Sequence, residues 1–228
     1  MSRAKEAAGR KAVDLFVADG MSLGLGTGST VYYALVRLAD RITHEGIRIR
    51  GVPTSNDTDA KARGLGIPLA TLDEVAALDL TIDGADEIDP GLHLIKGGGG
   101  ALLREKVVAS VSKRFVVVAD RDKIVETLGI GFRLPVEIVP FARATVIRGI
   151  TSLGAEPRLR TMDGLPYLTD NGNEILDCAF AGGIPDPAST ERALAGIPGV
   201  VESGLFVGMT DVVVIGDSTG SCEVLERD

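Results

Sequence analysis

The spacing of apolar and polar residues divides the first half of the chain into strands and helices that follow one another. Helices are predicted at residues 3–18, 31–42, 57–63 and 101–110. Short apolar runs predict strands at residues 21–25, 47–52, 67–69, 78–82 and 115–118. Strands that alternate with helices are typical of an open, mostly parallel, Rossmann-like α/β sheet. Such sheets bind ligands at the carboxyl ends of their strands, where the glycine clusters of this chain fall.

After Gly129 the pattern changes to strands that are separated by short turns. Strands are predicted at residues 135–140, 156–160, 164–169, 174–179 and 199–207, and helices at residues 142–153 and 187–195. Residues 211–215 are apolar and β-branched enough to return to the first sheet. We therefore predict a Rossmann-like catalytic domain from residues 1–129 plus 208–228. Residues 130–207 are predicted to form a small α+β, ferredoxin-like lid or oligomerisation domain.

Composition and charge exclude several classes of function. The chain has 24 Lys and Arg residues against 32 Asp and Glu residues, and no basic run is longer than two, so nucleic-acid binding is not expected. No apolar run approaches the roughly 18 residues of a membrane span, and the charged N-terminus lacks a signal-peptide pattern. Cys178 and Cys222 form no CxxC pair, so we expect a reduced, cytoplasmic protein.

A glycine-rich segment, residues 24–30, connects a predicted strand to a predicted helix. Its free N–H groups and the helix N-terminus would suit a phosphate, and Thr27, Ser29 and Thr30 add hydroxyl groups. A tight turn with a hydroxyl N-cap and no ligand is the alternative. Both nucleotide motifs are weak, because GxGxxG would need glycine where Ser29 stands and no Gly-Lys-Ser/Thr sequence occurs.

Three carboxylates, Asp83, Asp86 and Glu87, lie within five residues at the end of a predicted strand. Neighbouring carboxylates disfavour one another's charge, which suits one of them to move protons. A solvated acidic turn is the structural alternative. A Mg²⁺ site ranks low because only His44 and His93 could add the imidazole ligands of many sugar–metal sites, and His44 fits better at a helix end.

Lys96 is followed by four glycines, residues 97–100, and then directly by a predicted helix. Consecutive glycines lose much entropy on ordering, so they indicate a backbone that must approach a ligand closely. A flexible linker is the alternative. Glu105 lies in the first turns of the helix as a candidate base, and Lys123 follows the strand at 115–118 as a second cation.

Taken together, these motifs closely resemble type A ribose-5-phosphate isomerase, and the resemblance spans essentially the whole chain. The segments that carry it are residues 26–30, 83–87, 96–99, 104–106, 134–137, 169–173, 197–201 and 204–206. The resemblance implies interconversion of ribose 5-phosphate and ribulose 5-phosphate, in the non-oxidative pentose phosphate pathway. It also implies a homodimer or homotetramer and no metal or organic cofactor.

The resemblance assigns roles residue by residue. Glu105 would be the base that transfers the proton, with a cis-enediolate of the substrate as the intermediate. Lys96 and the N–H groups of the following turn would stabilise the enediolate oxygen. Asp83 would open the furanose ring, and Asp86 would orient hydroxyl groups or tune Asp83. The expected substrate-binding residues are Thr27, Gly28, Ser29, Thr30, Asp83, Gly84, Ala85, Asp86, Lys96, Gly97, Gly98, Gly99 and Lys123.

Two other functions are weighed against this one. A non-catalytic sugar-phosphate sensor would bind the ligand without turnover, but it usually carries a helix-turn-helix, for which there is no room before Met21, and it does not need Glu105. A nicotinamide oxidoreductase is not supported, because Ser29 replaces a glycine of the dinucleotide motif. The strand at 47–52 is also not followed by an acidic residue that could bind the ribose.

Overall fold

The computed structural model describes residues 3–227. Its α-helices are α1 (Arg3–Phe16), α2 (Ser29–Asp40), α3 (Asn56–Gly64), α4 (Leu102–Ser110), α5 (Arg143–Ser152) and α6 (Pro187–Ala195). Its strands are β1 (Ser22–Leu25), β2 (Arg50–Pro53), β3 (Leu80–Asp83), β4 (Glu87–Ile88), β5 (Leu94–Ile95), β6 (Phe115–Asp120), β7 (Leu134–Ile138), β8 (Ala155–Leu159), β9 (Thr161–Met162), β10 (Leu165–Pro166), β11 (Glu174–Phe180), β12 (Val200–Ser203), β13 (Leu205–Phe206), β14 (Val212–Gly216) and β15 (Cys222–Glu226). Every helix within residues 3–227 is too short or too polar to span a lipid bilayer.

The contacts of the chain separate it into two compact units. The first unit comprises the described residues up to Ala85, Arg104–Lys123 and those from Met209 onward. The second unit comprises Asp86–Leu103 and Ile124–Gly208. The second unit is larger than the predicted lid at 130–207 because β4 and β5 pair with each other and β5 pairs with β13. The predicted domain bounds, which also include residues 1, 2 and 228 outside the described range, remain a prediction.

A six-stranded sheet forms the centre of the first unit, in the order β15-β14-β6-β3-β1-β2. All neighbouring pairs are parallel except β14 with β15. The central strands β1, β3 and β14 are buried at every position, as expected of parallel strands covered on both faces. The predicted α/β class with a mostly parallel sheet is thereby confirmed. The sequence analysis missed β15, an antiparallel edge strand in which charged residues interrupt the apolar pattern.

The second unit consists of antiparallel sheets with helices. Its largest sheet has the order β12-β7-β11-β8, and smaller sheets have the orders β13-β5-β4 and β10-β9. A core of buried apolar side chains from β7, β11, α5 and α6 holds it together. The predicted helix at 187–195 has the observed bounds of α6, and its N-cap Asp186 accepts a hydrogen bond from the Ser189 N–H group.

Four predicted elements differ in the structure. The strand predicted at 164–169 is reduced to the two residues of β10. Residues 67–69 form only an isolated bridge between Leu69 and Gly51, since Pro68 supplies no N–H group to a ladder. The strand predicted at 199–207 is divided at Gly204, where the chain passes from pairing with β7 to pairing with β5. Residues Arg41–Glu45 continue α2 as a π-helical turn instead of ending it.

Candidate active site

Three loops of the first unit start at the carboxyl ends of parallel strands and therefore lie at one edge of the sheet. They are residues 26–30 after β1, residues 54 and 55 after β2, and Asp83 with its successors at the end of β3. This is the edge at which sheets of this class bind ligands. We call residues 26–30 the hydroxyl loop.

Thr27 lies at the centre of a cluster of hydroxyl groups. Its Oγ1 lies 2.8 Å from Thr54 Oγ1, 2.8 Å from Ser55 Oγ and 3.1 Å from Thr58 Oγ1. The three partners are buried, and Ser55 also caps α3 by accepting a hydrogen bond from the Thr58 N–H group. Hydrogen bonds between hydroxyl groups at neighbouring strand ends thus hold the Thr27 side chain.

Asp83 ends β3 and is fully buried. Its Oδ1 accepts hydrogen bonds from the N–H groups of Thr27, at 3.0 Å, and Gly84, at 2.7 Å. A Cβ at Gly26 would lie 2.5 Å from the Asp83 Cα, so only glycine fits beside this carboxylate. The structure therefore brings two predicted site residues, Thr27 and Asp83, into direct contact and holds the carboxylate in one orientation.

Lys5 is a cation at this edge that the sequence analysis did not include in the site. Its Nζ donates a hydrogen bond to Ser29 Oγ at 3.0 Å and lies 3.8 Å from Asp120 Oδ2. Ser29 is the first residue of α2, whose N-terminus favours anions. Lys5, Ser29 and Lys61, with two tyrosines of α2, line an open cavity of about 460 Å³. The sequence left a phosphate role for Lys5 undecided, because its contact with Ser29 depends on how α1 packs on α2.

Glu105 lies in the first turn of α4 and is only 5 % exposed. Its neighbour Arg104 donates a hydrogen bond to Asn56 Oδ1 at 3.0 Å. A buried carboxylate on a helix is held in a defined position, as a base requires. Lys123 lies in the 3₁₀ turn directly after β6, and Gly28, Thr30 and Ala85 lie in the two loops already described.

Lys96 follows β5 in the second unit and is only 2 % exposed. Its backbone N–H group donates to the Gly204 carbonyl oxygen at 2.8 Å, and its Nζ lies 5.5 Å from the centre of the Phe206 ring. An ammonium group over an aromatic face is stabilised by the negative face of the ring. The protein thus keeps a buried cation beside an aromatic ring.

The four glycines after Lys96 form an ordered turn, and we call residues 97–100 the glycine loop. Gly97 and Gly100 have positive φ angles of 104° and 80°, which only glycine adopts without strain. The Gly98 N–H group donates to Asp86 Oδ2 at 2.8 Å, and the Gly100 N–H group donates to the Gly97 carbonyl at 3.0 Å. The linker alternative is therefore wrong.

Two residues of the second unit that the sequence analysis missed contact the carbonyl oxygens of the glycine loop. The Nη1 of Arg160 donates to the carbonyls of Gly97 and Gly98 at 2.9 and 3.1 Å, and the Tyr167 hydroxyl donates to the Gly99 carbonyl at 3.3 Å. Arg160 lies 62 residues from Gly98 along the chain, so no local pattern could show the contact.

The three carboxylates of the acidic turn at residues 83–87 bind different backbone N–H groups. Asp83 and Asp86 each accept hydrogen bonds from backbone N–H groups, and Glu87 accepts from the N–H groups of Gly129 and Gly131 at 2.6 and 3.0 Å. Among residues 3–227, no group of three or more His, Cys, Asp or Glu side chains could hold a metal ion. His44 lies at the end of the π-helical turn, 2.9 Å from an oxygen of Asp40.

Comparison with known proteins gives consistent results. Residues 50–220 match the family model of ribose 5-phosphate isomerase A (phosphoriboisomerase A). The chain is 50 % identical over 220 residues to ribose-5-phosphate isomerase A of Bacillus mycoides (strain KBAB4), covering 96 % of this chain and 98 % of that protein. A solved ribose 5-phosphate isomerase from Plasmodium falciparum superimposes with a TM-score of 0.95 at 40 % identity, covering 98 % of both chains. A solved D-ribose-5-phosphate isomerase in complex with phospho-erythronic acid gives a TM-score of 0.94 at 39 % identity, covering 98 % of this chain and 97 % of that one.

Proposed function

The chain belongs to the ribose 5-phosphate isomerase A family and interconverts ribose 5-phosphate and ribulose 5-phosphate, and we propose that Glu105 is the base of this reaction. Moving the carbonyl from C1 to C2 requires that the C2 proton be removed and a proton be returned to C1. One carboxylate can do both through a cis-enediolate. The burial of Glu105 on the first turn of α4 is the observation that supports this role most directly.

Lys96 and the glycine loop would stabilise the enediolate. Negative charge develops on the substrate oxygen when the proton leaves carbon, and preorganised donors stabilise that charge. The buried ammonium of Lys96 is suited to this because a cation that is already removed from water needs little reorganisation. The substrate's own carbonyl accepts the electron pair, so the proposed mechanism uses neither a metal nor an organic cofactor.

Asp83 would open the furanose ring before isomerisation, and Asp86 would orient the substrate hydroxyls. The two N–H groups on Asp83 Oδ1 hold its carboxylate in place, which supports a role in directed proton transfer. Asp86 is half-buried and anchored to Gly98, so it has a defined position from which to bind a hydroxyl group.

The phosphate would be held by residues 27–30, with Lys5 as one cation and Lys123 as a second one. The N-terminus of α2, the Ser29 hydroxyl and the Lys5 ammonium are the kinds of donor that phosphate prefers. The complex of a solved relative with phospho-erythronic acid agrees with a phosphorylated sugar acid as a ligand of this fold. That compound's carboxylate carries two oxygens, as an enediolate does.

Assembly and location are further parts of the proposal. Within the second unit Phe141, Leu165, Ile130 and Met162 are 100, 69, 68 and 61 % exposed, which supports a homodimer or homotetramer. A cytoplasmic location agrees with the two unpaired cysteines. Burial raises the pKa of the Cys178 thiol to about 12, so that group is inert at neutral pH. The sensor alternative is not favoured, because the relatives are named as isomerases.

The test is formation of ribulose 5-phosphate from ribose 5-phosphate in the presence of EDTA, for the wild type and for Glu105→Gln. We expect Glu105→Gln to lower kcat by about 10²–10⁴-fold with little change in KM, because it removes a general base. Glu191→Gln, on α6, is the matched control and should keep full activity. A Glu105→Gln enzyme with more than about a third of the wild-type kcat would remove this residue from the role of base. Binding of ribose 5-phosphate without turnover by the wild type would favour the sensor.

A further inference from the structure

Arg160 is attached to the second unit through both its backbone and its side chain. Its N–H group donates to the Ile175 carbonyl at 2.8 Å, and its carbonyl accepts from the Tyr167 N–H group at 2.9 Å. Its guanidinium group is bound by both oxygens of Asp177 on β11, with Nε 3.0 Å from Oδ2. A two-point ion pair fixes the plane of a guanidinium group. The remaining donor, Nη1, therefore has a defined direction.

That donor points at the backbone of the glycine loop. Arg160 Nη1 binds the carbonyls of Gly97 and Gly98, and the Tyr167 hydroxyl binds the carbonyl of Gly99. Burial raises the pKa of Tyr167, so its hydroxyl keeps its proton at neutral pH. Three successive carbonyls of a four-glycine turn are thus held by two side chains from one hairpin, which reduces the freedom that glycine would otherwise have.

Fixing a carbonyl also fixes the N–H group of the same peptide. In a planar trans peptide the C=O and N–H bonds point in opposite directions, so a donor on the Gly98 oxygen directs the Gly99 N–H group away from Arg160. The Gly98 and Gly100 N–H groups are already used, since they donate to Asp86 and to the Gly97 carbonyl. The Gly99 N–H group has no hydrogen-bond partner among residues 3–227. The Gly97 N–H group likewise has no partner among residues 3–227, but of the two only the Gly99 N–H group belongs to a peptide whose carbonyl Arg160 binds.

We propose that Arg160 is a positioning residue of the isomerase reaction, which acts through the glycine loop by directing the Gly99 N–H group at the enediolate oxygen. This inference rests on the proposed function. A positively charged donor on a carbonyl also polarises its peptide and strengthens the N–H group as a donor. Arg160 itself does not touch the substrate in this proposal.

The second unit offers a matched control arginine. Arg143 forms the same kind of two-point ion pair, with Glu174, and its Nε lies 2.7 Å from Oε2. Arg143 has no hydrogen bond to the glycine loop within residues 3–227. Arg143→Met therefore removes an ion pair of the second unit without removing a contact to the loop.

The experiment compares Arg160→Met, Arg160→Lys and Arg143→Met for kcat, KM and inhibition by phospho-erythronic acid. We expect Arg160→Met to lower kcat by about 10–100-fold with KM within about threefold, because a misplaced oxyanion donor weakens transition-state binding. Inhibition by phospho-erythronic acid should weaken in parallel with kcat. The kcat of Arg160→Lys should lie between that of the wild type and that of Arg160→Met, because one ammonium group cannot bind both Asp177 and two carbonyls. Arg143→Met should keep the wild-type kcat and inhibition.

Chemical rescue separates positioning from a loss of structure. Guanidinium chloride, added to Arg160→Ala far below denaturing concentrations, should restore part of kcat, while the same concentration of ammonium chloride should not. If Arg160→Met keeps the kcat of Arg143→Met, or if ammonium rescues as well as guanidinium, the inference is wrong while the proposed function stands. If the wild type itself does not isomerise ribose 5-phosphate, the proposed function fails.

Discussion

The hydroxyl loop and the glycine loop are both glycine-rich turns anchored to an aspartate, but different chemistry holds them. In the hydroxyl loop, neutral hydroxyl groups at neighbouring strand ends surround Thr27. In the glycine loop, the guanidinium group of Arg160 reaches the turn from a strand connection far along the chain. A parallel sheet brings the ends of its strands together, so Thr27 of the first loop finds its hydroxyl partners directly after the neighbouring strand β2. The second loop lies outside the parallel sheet and is held by a long-range charged contact.

The largest expected effect comes from replacing the lysine of each region, because the two substitutions should change different kinetic constants. Lys96→Met should lower kcat by about 10²–10³-fold and change KM little, because a buried donor acts on charge that develops in the transition state. Lys5→Met should instead raise KM by about tenfold with a smaller change in kcat, because a phosphate contact is made equally in the ground state and the transition state. Steady-state kinetics on both variants measures the split. Equal losses of kcat and of substrate affinity in Lys96→Met would make Lys96 an anchor of the substrate.

A smaller effect is expected from adding one methyl group beside each aspartate. Gly26→Ala should lower the free energy of unfolding by about 3 kcal/mol, because the new Cβ would lie 2.5 Å from the backbone of buried Asp83. Gly98→Ala would meet the side chain of half-buried Asp86, with the nearest atom at 2.7 Å. That side chain can move, so this variant should lose less than about 1.5 kcal/mol of stability but should lose activity.

Urea unfolding and kcat, measured on both alanine variants, test this difference. Gly64→Ala at the end of α3 is the control, since a Cβ there meets no atom within 4 Å. Equal stability losses at the two positions would show that the two loops are equally rigid.

The smallest effects are expected from removing one hydroxyl group in each region. Thr58→Val should cost about 1–2 kcal/mol of stability, because it leaves buried partners, including the Gly26 carbonyl at 2.9 Å, without their donor. Tyr167→Phe should cost under about 1 kcal/mol, because water can reach the half-buried site, and should lower kcat by about threefold. Thermal unfolding with kcat measures both. A larger stability loss in Tyr167→Phe than in Thr58→Val would reverse the comparison.

The same contrast explains which features the sequence could predict. The hydroxyl loop, Asp83 and the glycine loop were predicted because each is a local pattern at the end of a strand. Arg160 and Tyr167 were missed because neither stands in a glycine-rich or acidic motif, and their contacts with the glycine loop join residues 62 to 68 positions apart. Gly204 divided a predicted strand because its backbone pairs with both Pro135 and Lys96, which no periodicity shows.

The strand order of the central sheet also bears on how the protein can be made. β14 lies between β6 and β15, and both β14 and β15 follow the whole of the second unit along the sequence. During synthesis β6 is therefore an open edge of the sheet until residues 212–216 have left the ribosome, and an open apolar edge can pair with other chains. Premature termination before β14 would release a product that exposes this edge, so such fragments should aggregate instead of folding.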